Sequence, residues 1–355
     1  MPPAKPSRRA TLKDVAAALG VSPATVSNAY NRPDQLSQEL RERILAAAHE
    51  LGYPGPDPLA RSLRRGQTGT LGVVYGDRLT YAFEDPAAAL FLQGVASATE
   101  QAGLNLLLLP APQDEAIVAN AAVDGFIIYC LPERTSVLRA ALARGLPCVL
   151  VDQLDPDGQP SVSIDDAGGA REACEHLLTL GHRRIGVLAL ELSHPRQRGA
   201  ITPEREAAGN IRPTVERLRG YRDAVHAAGL RWDTVAVPVE IDENTIQEGE
   251  DLTRELLVRP DAPTAILAMS DQLAIGALRA AQALGLRVPE DLSVVGYDDV
   301  PAAAQIGLTT VHQPTRDKGR LAGELLLGAL RGEQDGASMR LPTRLTVRAT
   351  SGPRP

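Results

Sequence analysis

The sequence contains few cysteines and aromatic residues and no long apolar run. The three cysteines, Cys130, Cys148 and Cys174, are widely spaced in apolar or helical segments, so we expect reduced core thiols and neither a disulfide framework nor a zinc site. No stretch approaches the about 20 apolar residues that a membrane-spanning helix needs. The first residues also lack the apolar segment of a secretion signal. We therefore expect a cytoplasmic protein.

Common motifs of catalysis and phosphate binding are absent as well. The sequence contains no glycine-rich dinucleotide fingerprint, no phosphate-binding P-loop, no HExxH zinc motif and no GxSxG nucleophile motif. The six histidines are scattered, and none has a metal-ligand spacing. These absences predict that the protein is not an enzyme and uses no cofactor or metal.

Charge is distributed unevenly along the 355 residues. Residues 1–66 carry ten Lys and Arg against six Asp and Glu, a net charge of +4, whereas the rest carry 27 against 38, a net charge of −11. This distribution suits a protein that binds a polyanion through its basic segment alone, because the acidic remainder repels the polyanion. The charge by itself would equally fit a solvated tail.

The length of the chain predicts two or three domains.

The N-terminal segment has the pattern of two short capped helices around a glycine turn. Thr11 can cap the first helix, Gly20 lies where the chain turns, and Ser22 can cap the second helix with Pro23 at its first position. A third amphipathic helix is predicted over residues 38–51. This pattern is typical of a helix-turn-helix DNA-binding head, whose second helix enters the major groove.

From residue 71 onward, short apolar runs alternate with longer amphipathic stretches. The predicted strands are residues 71–75, 104–109, 125–130, 148–151, 185–190, 265–269 and 294–297. The predicted helices are residues 89–103, 136–144, 167–180, 214–228, 245–258, 271–284 and 318–330. This alternation predicts an α/β fold with two doubly wound parallel-sheet lobes. Ligands of such sheets bind at the carboxyl ends of the strands, so the cleft between the lobes is the expected site, with residues 193–213 as a mobile loop nearby.

Five segments occur in a fixed order, namely residues 11–16, 21–27, 59–63, 181–186 and 294–299. Together they resemble the LacI/GalR (lactose-repressor-type) family of bacterial transcription regulators. The resemblance implies a three-helix head, a hinge helix, and two lobes of periplasmic-binding-protein type. It also implies a homodimer on pseudo-palindromic operator DNA. The C-terminus lacks the leucine heptad of tetrameric members, which favours a dimer.

The resemblance further implies a repressor whose operator affinity is controlled by a sugar or sugar derivative bound between the lobes. A co-repressor-dependent regulator that responds to a nucleobase or another metabolite stays open, because both use the same scaffold. The implied domains are a disordered basic tail at 1–10, the head at 11–56, a hinge helix or linker at 57–66, and an effector-binding and dimerisation domain at 67–350. Lobe 1 is expected at about 67–164 and 297–324, and lobe 2 at about 165–296 and 325–350.

By family position, the base-reading residues of the second helix are Pro23, Ala24 and Asn28. Pro23 and Ala24 offer only shape and apolar contact, so Asn28 is the residue able to bind adenine with two hydrogen bonds, unless it is simply solvated. Leu63 resembles the wedge that enters the minor groove and bends the operator, although it can also be a linker leucine. The residues expected to contact DNA are Thr11, Ser22, Pro23, Ala24, Thr25, Ser27, Asn28, Asn31, Ala60, Arg61 and Leu63.

Arg217 and Asp271 match the family's polar cleft positions. An Arg fork and an Asp can hold neighbouring hydroxyls of a sugar in charge-assisted hydrogen bonds. Asp271 can also cap the helix that follows it. Asn244 falls near the position where relatives often place an aromatic residue that stacks on the ligand. The weaker candidates, each of which can equally be a cap or a packing residue, are Asp152, Phe83 and Gln313.

Overall fold

The computed structural model describes residues 10–56, 66–110, 115–132, 135–153, 158–333 and 338–354. The chain divides into two compact units, Met1–Gly69 and Thr70–Pro355. Most of the expected tail and hinge helix lies outside the described residues, and so do Ala60, Arg61 and Leu63. The roles of these three residues stay predictions.

The first unit contains the three helices that the sequence predicted. They are α1 (Leu12–Leu19), α2 (Pro23–Asn31) and α3 (Gln38–Glu50), with a 3₁₀ turn at Pro33–Gln35. Gly20 ends α1 with a φ of 67°, a left-handed conformation that glycine adopts without steric cost. The helices pack around a small core of Val15, Ala16, Val26, Ala29, Ile44 and Ala48.

Lobe 1 of the second unit is a six-stranded sheet. Its strands are β1 (Thr70–Tyr75), β2 (Asn105–Pro110), β3 (Gly125–Tyr129), β4 (Cys148–Val151), β5 (Ser161–Ile164) and β12 (Ser338–Leu341). They are ordered β12-β5-β4-β3-β1-β2, and all pairs are parallel. Its helices are α4 (Leu79–Glu84), α5 (Pro86–Gln101), α6 (Glu115–Ala119), α7 (Ser136–Ala143) and α15 (Thr315–Leu330).

Lobe 2 is a seven-stranded sheet. Its strands are β6 (Ile185–Ala189), β7 (Gly199–Ala200), β8 (Ala236–Glu240), β9 (Ala265–Ala268), β10 (Ser293–Asp298), β11 (Thr309–His312) and β13 (Arg344–Thr346). They are ordered β13-β11-β10-β9-β6-β8-β7, and only the edge strands β7 and β13 are antiparallel. Its helices are α8 (Asp166–Thr179), α9 (Pro203–Ala207), α10 (Arg212–Ala227), α11 (Trp232–Val235), α12 (Ile246–Leu257), α13 (Asp271–Ala283) and α14 (Pro301–Gln305).

The central strands are continuous buried runs. Every residue of β6 and of β10 is buried, because helices cover both faces of the sheet. Separate apolar clusters lie on the two faces of each lobe. The predicted fold class, a helix-turn-helix head with two doubly wound lobes, is confirmed.

The expected lobe boundaries need correction in the C-terminal half. A boundary at residue 297 would divide β10, which pairs in lobe 2 with β11 through Val295 and Thr309. The chain returns to lobe 1 only after β11. Residues 325–330 and 338–341, expected in lobe 2, belong to lobe 1 because they lie in α15 and β12. Within the described part of the chain, crossings between the lobes follow β5, β11 and β12.

The segment 193–213 is more regular than the sequence suggested. It contains β7 and α9, and β7 pairs with β8. All three cysteines are free, and Cys148 and Cys174 are buried. Within the described ranges, no helix combines the length and apolarity that crossing a membrane requires.

Candidate functional site

The start of α2 is fixed by its own side chains. The Ser22 hydroxyl accepts a hydrogen bond from the Thr25 backbone N–H at 3.0 Å, and Pro23 occupies the first turn, where no N–H is needed. At the start of α1, the Asp14 carboxylate accepts from the Thr11 backbone N–H and hydroxyl, both at 2.7 Å. Ser22 and Asp14 therefore fix the starts of α2 and α1.

The outward face of α2 carries the residues expected to read bases. Pro23 and Ala24 are exposed, and Asn28 is half-buried with its amide donating to Gln35 Oε1 at 3.3 Å. This bond is long and exposed, so DNA can displace it. Asn31 differs, because its amide donates to the backbone carbonyl of Ser27 at 3.0 Å and to its hydroxyl at 3.2 Å. Thr25 and Ser27 are half-buried beside this face.

The second unit contains a cavity of about 110 Å³ between the carboxyl ends of the two sheets. Lobe 1 contributes the ends of β1, β3 and β4, and lobe 2 contributes the ends of β6, β9 and β10. The polar side chains that line it are Tyr75, Asp77, Tyr81, Asp85, Tyr129, Cys130, Asp152, Glu191, Thr214, Arg217, Asn244, Ser270, Asp298, Gln313 and Lys318. This is the position that the doubly wound topology predicted for a ligand.

Arg217, on α10, is held on three sides at the floor of the cavity. Its Nε donates to Asp166 Oδ1 at 2.9 Å, and a terminal nitrogen donates to the Met269 carbonyl. The guanidinium carbon lies 3.6 Å from the centroid of the Tyr297 ring. Burial raises the pKa of Asp166 to about 6, although the neighbouring guanidinium opposes that rise. Arg217 therefore presents a rigid, partly neutralised cation to the cavity.

A hydrogen-bonded chain crosses the cavity from lobe 2 to lobe 1. Ser270 donates to Asn244 Oδ1 at 2.5 Å, Asn244 Nδ2 donates to the Tyr81 hydroxyl at 2.6 Å, and Tyr81 donates to Asp85 Oδ2 at 2.9 Å. Burial raises the pKa of Asp85. Asn244 lines the cavity as expected, but it also connects the two lobes.

A second chain runs beside the β11–α15 crossing. The Lys318 ammonium donates to Asp152 Oδ2 and, at 3.3 Å, to Gln313 Oε1. Gln313 Nε2 donates to Asp298 Oδ1 at 2.5 Å. Asp152 has a φ of 55°, a left-handed conformation that a non-glycine residue adopts only where its surroundings hold it. The structure thus brings Asp152 and Gln313 together with Lys318, which sequence reasoning missed.

Two expected effector-binding residues lie outside the cavity lining. Asp271 is fully buried behind it and accepts from the Val300 N–H at 2.8 Å and the Thr310 hydroxyl at 2.5 Å. The residue that caps α13 and lines the cavity is its neighbour Ser270. Phe83 is 68% exposed on α4, because the short helix turns that side chain to solvent.

Several lining residues escaped the sequence prediction. Tyr75, Cys130, Glu191 and Asp298 each lie at or just after the end of a central strand, so the strand-end rule that indicated the cleft could have found them. The strand-end rule could not indicate Lys318, because this residue lies on a helix. Among the described residues, no group of His, Cys, Asp and Glu could hold a metal ion.

Comparison with known proteins agrees with this architecture. Residues 11–55 match the sequence family described as "Bacterial regulatory proteins, lacI family", and residues 174–351 match a "Periplasmic binding protein-like domain". The HTH-type transcriptional regulator Rv3575c of Mycobacterium tuberculosis is 42% identical, with 98% of each chain covered.

Two solved structures extend the comparison. The lac repressor dimer bound to operator and the anti-inducer ONPF has a TM-score of 0.79 and 29% identity, covering 97% of this chain and 100% of that one. The transcriptional regulator CelR in complex with cellobiose has a TM-score of 0.67 and 32% identity, covering 96% of this chain and 100% of that one. These relatives are transcriptional regulators and not enzymes. The chain therefore belongs to the lacI family of bacterial regulatory proteins.

Proposed function

We propose that this protein is a cytoplasmic, homodimeric repressor that binds a pseudo-palindromic operator. A sugar or sugar derivative bound in the cleft controls its operator affinity. The observation that carries the ligand assignment is the charge of the cavity wall.

Carboxylic acids outnumber cations around the cavity. The acidic side chains that line it are Asp77, Asp85, Asp152, Glu191 and Asp298. The lining cations among the described residues are Arg217 and Lys318, and each is already paired with a carboxylate. Asp77 and Glu191 are paired in turn with Arg196, which lies outside the lining, so an anionic ligand would find no unpaired cation there to offset its loss of water. Hydroxyl groups, in contrast, can donate to these oxygens, so an uncharged polyhydroxylated ligand fits best.

Size and shape support the same class of ligand. A cavity of about 110 Å³ has the volume of roughly four water molecules at about 30 Å³ each, so it suits a small polar ligand. The rings of Tyr75 and Tyr129, 5.6 Å apart between centroids, provide an apolar wall. The related CelR was solved with a sugar, cellobiose.

The head carries the DNA-binding part of the proposal. One three-helix head reads only a few base pairs, so two heads related by a two-fold axis read a palindrome. Asn28 supplies direct base readout, while Ser22, Thr25 and Ser27 contact phosphate. The related lac repressor was solved as a dimer on its operator.

A thermal-shift screen of the full chain tests the ligand class. The panel pairs neutral monosaccharides and polyols with their phosphate esters and adds nucleobases. We expect a neutral member to raise the melting temperature, since a ligand at about 100 times its Kd stabilises the folded state by about 2.7 kcal/mol. Its phosphate ester should have no effect. Stabilisation only by phosphate esters or by nucleobases would contradict the proposal.

A further inference from the structure

The segment 192–210, which we call the strap, leaves lobe 2 after β6 and returns at α10. Polar contacts fasten it to lobe 2 along its length. Arg198 pairs with Glu248 at 2.7 Å, and Arg205 pairs with the buried Glu240. The two ends of the strap are also joined to each other, because the Asn210 N–H donates to the Leu192 carbonyl at 2.8 Å. The strap therefore moves with lobe 2.

One strap residue, Arg196, reaches lobe 1. Its guanidinium donates to Asp77, which follows β1 in lobe 1, and lies 3.5 Å from Glu191, which follows β6 in lobe 2. The three side chains are only 17%, 18% and 20% exposed. Asp77 and Glu191 both line the cavity, so this partly buried cation joins the two walls of the ligand site. Burial at this level keeps the attraction stronger and less screened than at a surface pair.

Two further contacts cross the cleft from the same stretch of lobe 1. Arg78 pairs with Glu243 at 2.5 Å, but both side chains are about half exposed. The Tyr81 hydroxyl accepts from Asn244 at 2.6 Å. Because the stretch after β1 supplies every lobe 1 partner of these contacts, opening the lobes would break them together. Of the two ion pairs, the one with Arg196 is the more shielded.

We infer that Arg196 is a positioning residue that latches lobe 1 to lobe 2 through Asp77 and so sets the fraction of closed effector domain. The strap holds the guanidinium in place, and the ion pair breaks whenever the cleft opens to exchange ligand. The further claim that closure of the cleft controls operator affinity rests on the proposed function. The claim that Arg196 holds the two lobes together does not depend on it.

The test measures the separation of the lobes in the full-length protein without ligand or DNA. Spin labels are attached through unnatural amino acids at positions 101 in lobe 1 and 258 in lobe 2, both exposed, and double electron–electron resonance gives the distance distribution. We expect the parent to be mainly closed and Arg196→Ala to shift the closed-to-open ratio by roughly tenfold towards open. The shift should be largest at low salt.

Arg198→Ala is the matched control. It removes an arginine two positions away on the same strap, but its partners Glu248 and Glu255 both lie in lobe 2. Its distance distribution should match the parent's. Equal distributions in parent, Arg196→Ala and Arg198→Ala would overturn the inference.

Two more variants keep the test sharp if Arg196→Ala folds poorly. Asp77→Asn removes the lobe 1 partner and leaves the strap intact, and it should open the cleft as Arg196→Ala does. Arg196→Lys keeps the charge and should restore much of the closed population; a Lys variant as open as the Ala variant would contradict an ionic latch. Loss of operator binding in every sample would contradict the proposed function but leave the latch result standing.

Discussion

Arg217 and Asp166 form an ion pair that is closed to solvent, with Nε and Oδ1 2.9 Å apart and both side chains 5% exposed. The pair joins α10 to the first turn of α8 directly beneath the cavity. Because both charges are buried, removing one leaves the other unpaired in a medium that stabilises it poorly.

Arg217→Ala should therefore lower the free energy of unfolding of the effector domain by about 3–5 kcal/mol, in addition to abolishing the ligand response. Urea unfolding followed by circular dichroism measures the loss. Arg219→Ala, on the same helix, breaks a pair with Glu216 in which the Arg219 side chain is 55% exposed, and it should cost less than about 1 kcal/mol. Equal losses in the two variants would show that the Arg217 pair has no special energetic role.

The pKa of Asp298 gives a pH dependence of stability. Burial is the main cause that raises this pKa to about 7. Between about pH 4 and pH 7 the folded protein keeps a proton that the unfolded chain releases, so the free energy of unfolding should fall as pH rises and level off above pH 7. The fall attributable to Asp298 is on the order of a few kcal/mol.

Asp298→Asn should reduce this slope, most of all near pH 7, and chemical denaturation at a series of pH values measures the change. Asp291→Asn serves as the control, because hydrogen bonds from Arg287 lower the pKa of that surface carboxyl to about 2. The lowered pKa of Asp291 stabilises the folded protein above about pH 4, and this stabilisation is lost as pH falls, so the stability changes with pH in the opposite direction. A slope that persists unchanged in Asp298→Asn would assign the pH dependence to other groups.

Two glycines on α15 should respond oppositely to alanine. A Cβ at Gly319 would lie 2.1 Å from the Phe91 carbonyl oxygen, because α5 and α15 touch backbone to backbone there. Gly319→Ala should therefore destabilise by about 1–3 kcal/mol or more. A Cβ at Gly328 meets no atom nearer than 3.6 Å, so Gly328→Ala should be neutral or stabilise by up to about 1 kcal/mol. Thermal unfolding of both variants provides the comparison, and a stable Gly319→Ala protein would contradict the packing described.

The periodicity of apolar residues was sufficient to predict the central strands and the long helices. The strands are buried on both faces, and each helix is buried along one stripe. Short edge strands gave no such pattern. Residues 338–341 are largely exposed, and they form β12 only because they pair with β5, where Ser161 donates to Ser338 at 3.0 Å. That pairing joins residues 177 positions apart, which local sequence does not encode, and it explains why the lobe boundary was misplaced.

For the site, the strand-end rule located the cleft but not the direction of each side chain. Ser270 and Asp271 are adjacent and both suit a helix cap, and tertiary packing decides that Ser270 caps α13 while Asp271 points into the core. Phe83 and Tyr81 lie on one short helix, yet only Tyr81 faces the cavity. The direction of these side chains depends on how their helix is rotated against the neighbouring element, so the spacing of residues in the sequence does not determine it.

Asn28 should carry base discrimination in the head. Asn28→Ala is expected to weaken binding to a duplex selected in vitro by about 1–3 kcal/mol and to leave non-specific binding unchanged, because the lost contacts are to base edges. Fluorescence anisotropy at fixed salt measures both affinities. Gln38→Ala, whose amide donates to Glu42 on α3, is the control and should bind like the parent. Equal losses on specific and random duplexes would make Asn28 a phosphate contact instead.

The operator affinity of the full chain, with and without a saturating neutral ligand identified by thermal shift, tests the central claim most directly. A duplex selected in vitro is labelled and titrated by fluorescence anisotropy at constant salt, since affinity falls steeply as salt rises. We expect a pseudo-palindromic duplex, binding by a dimer, and a ligand-induced change in affinity of about 5- to 150-fold. A decrease identifies the ligand as an inducer. An operator affinity that is unchanged at saturating ligand would contradict the account.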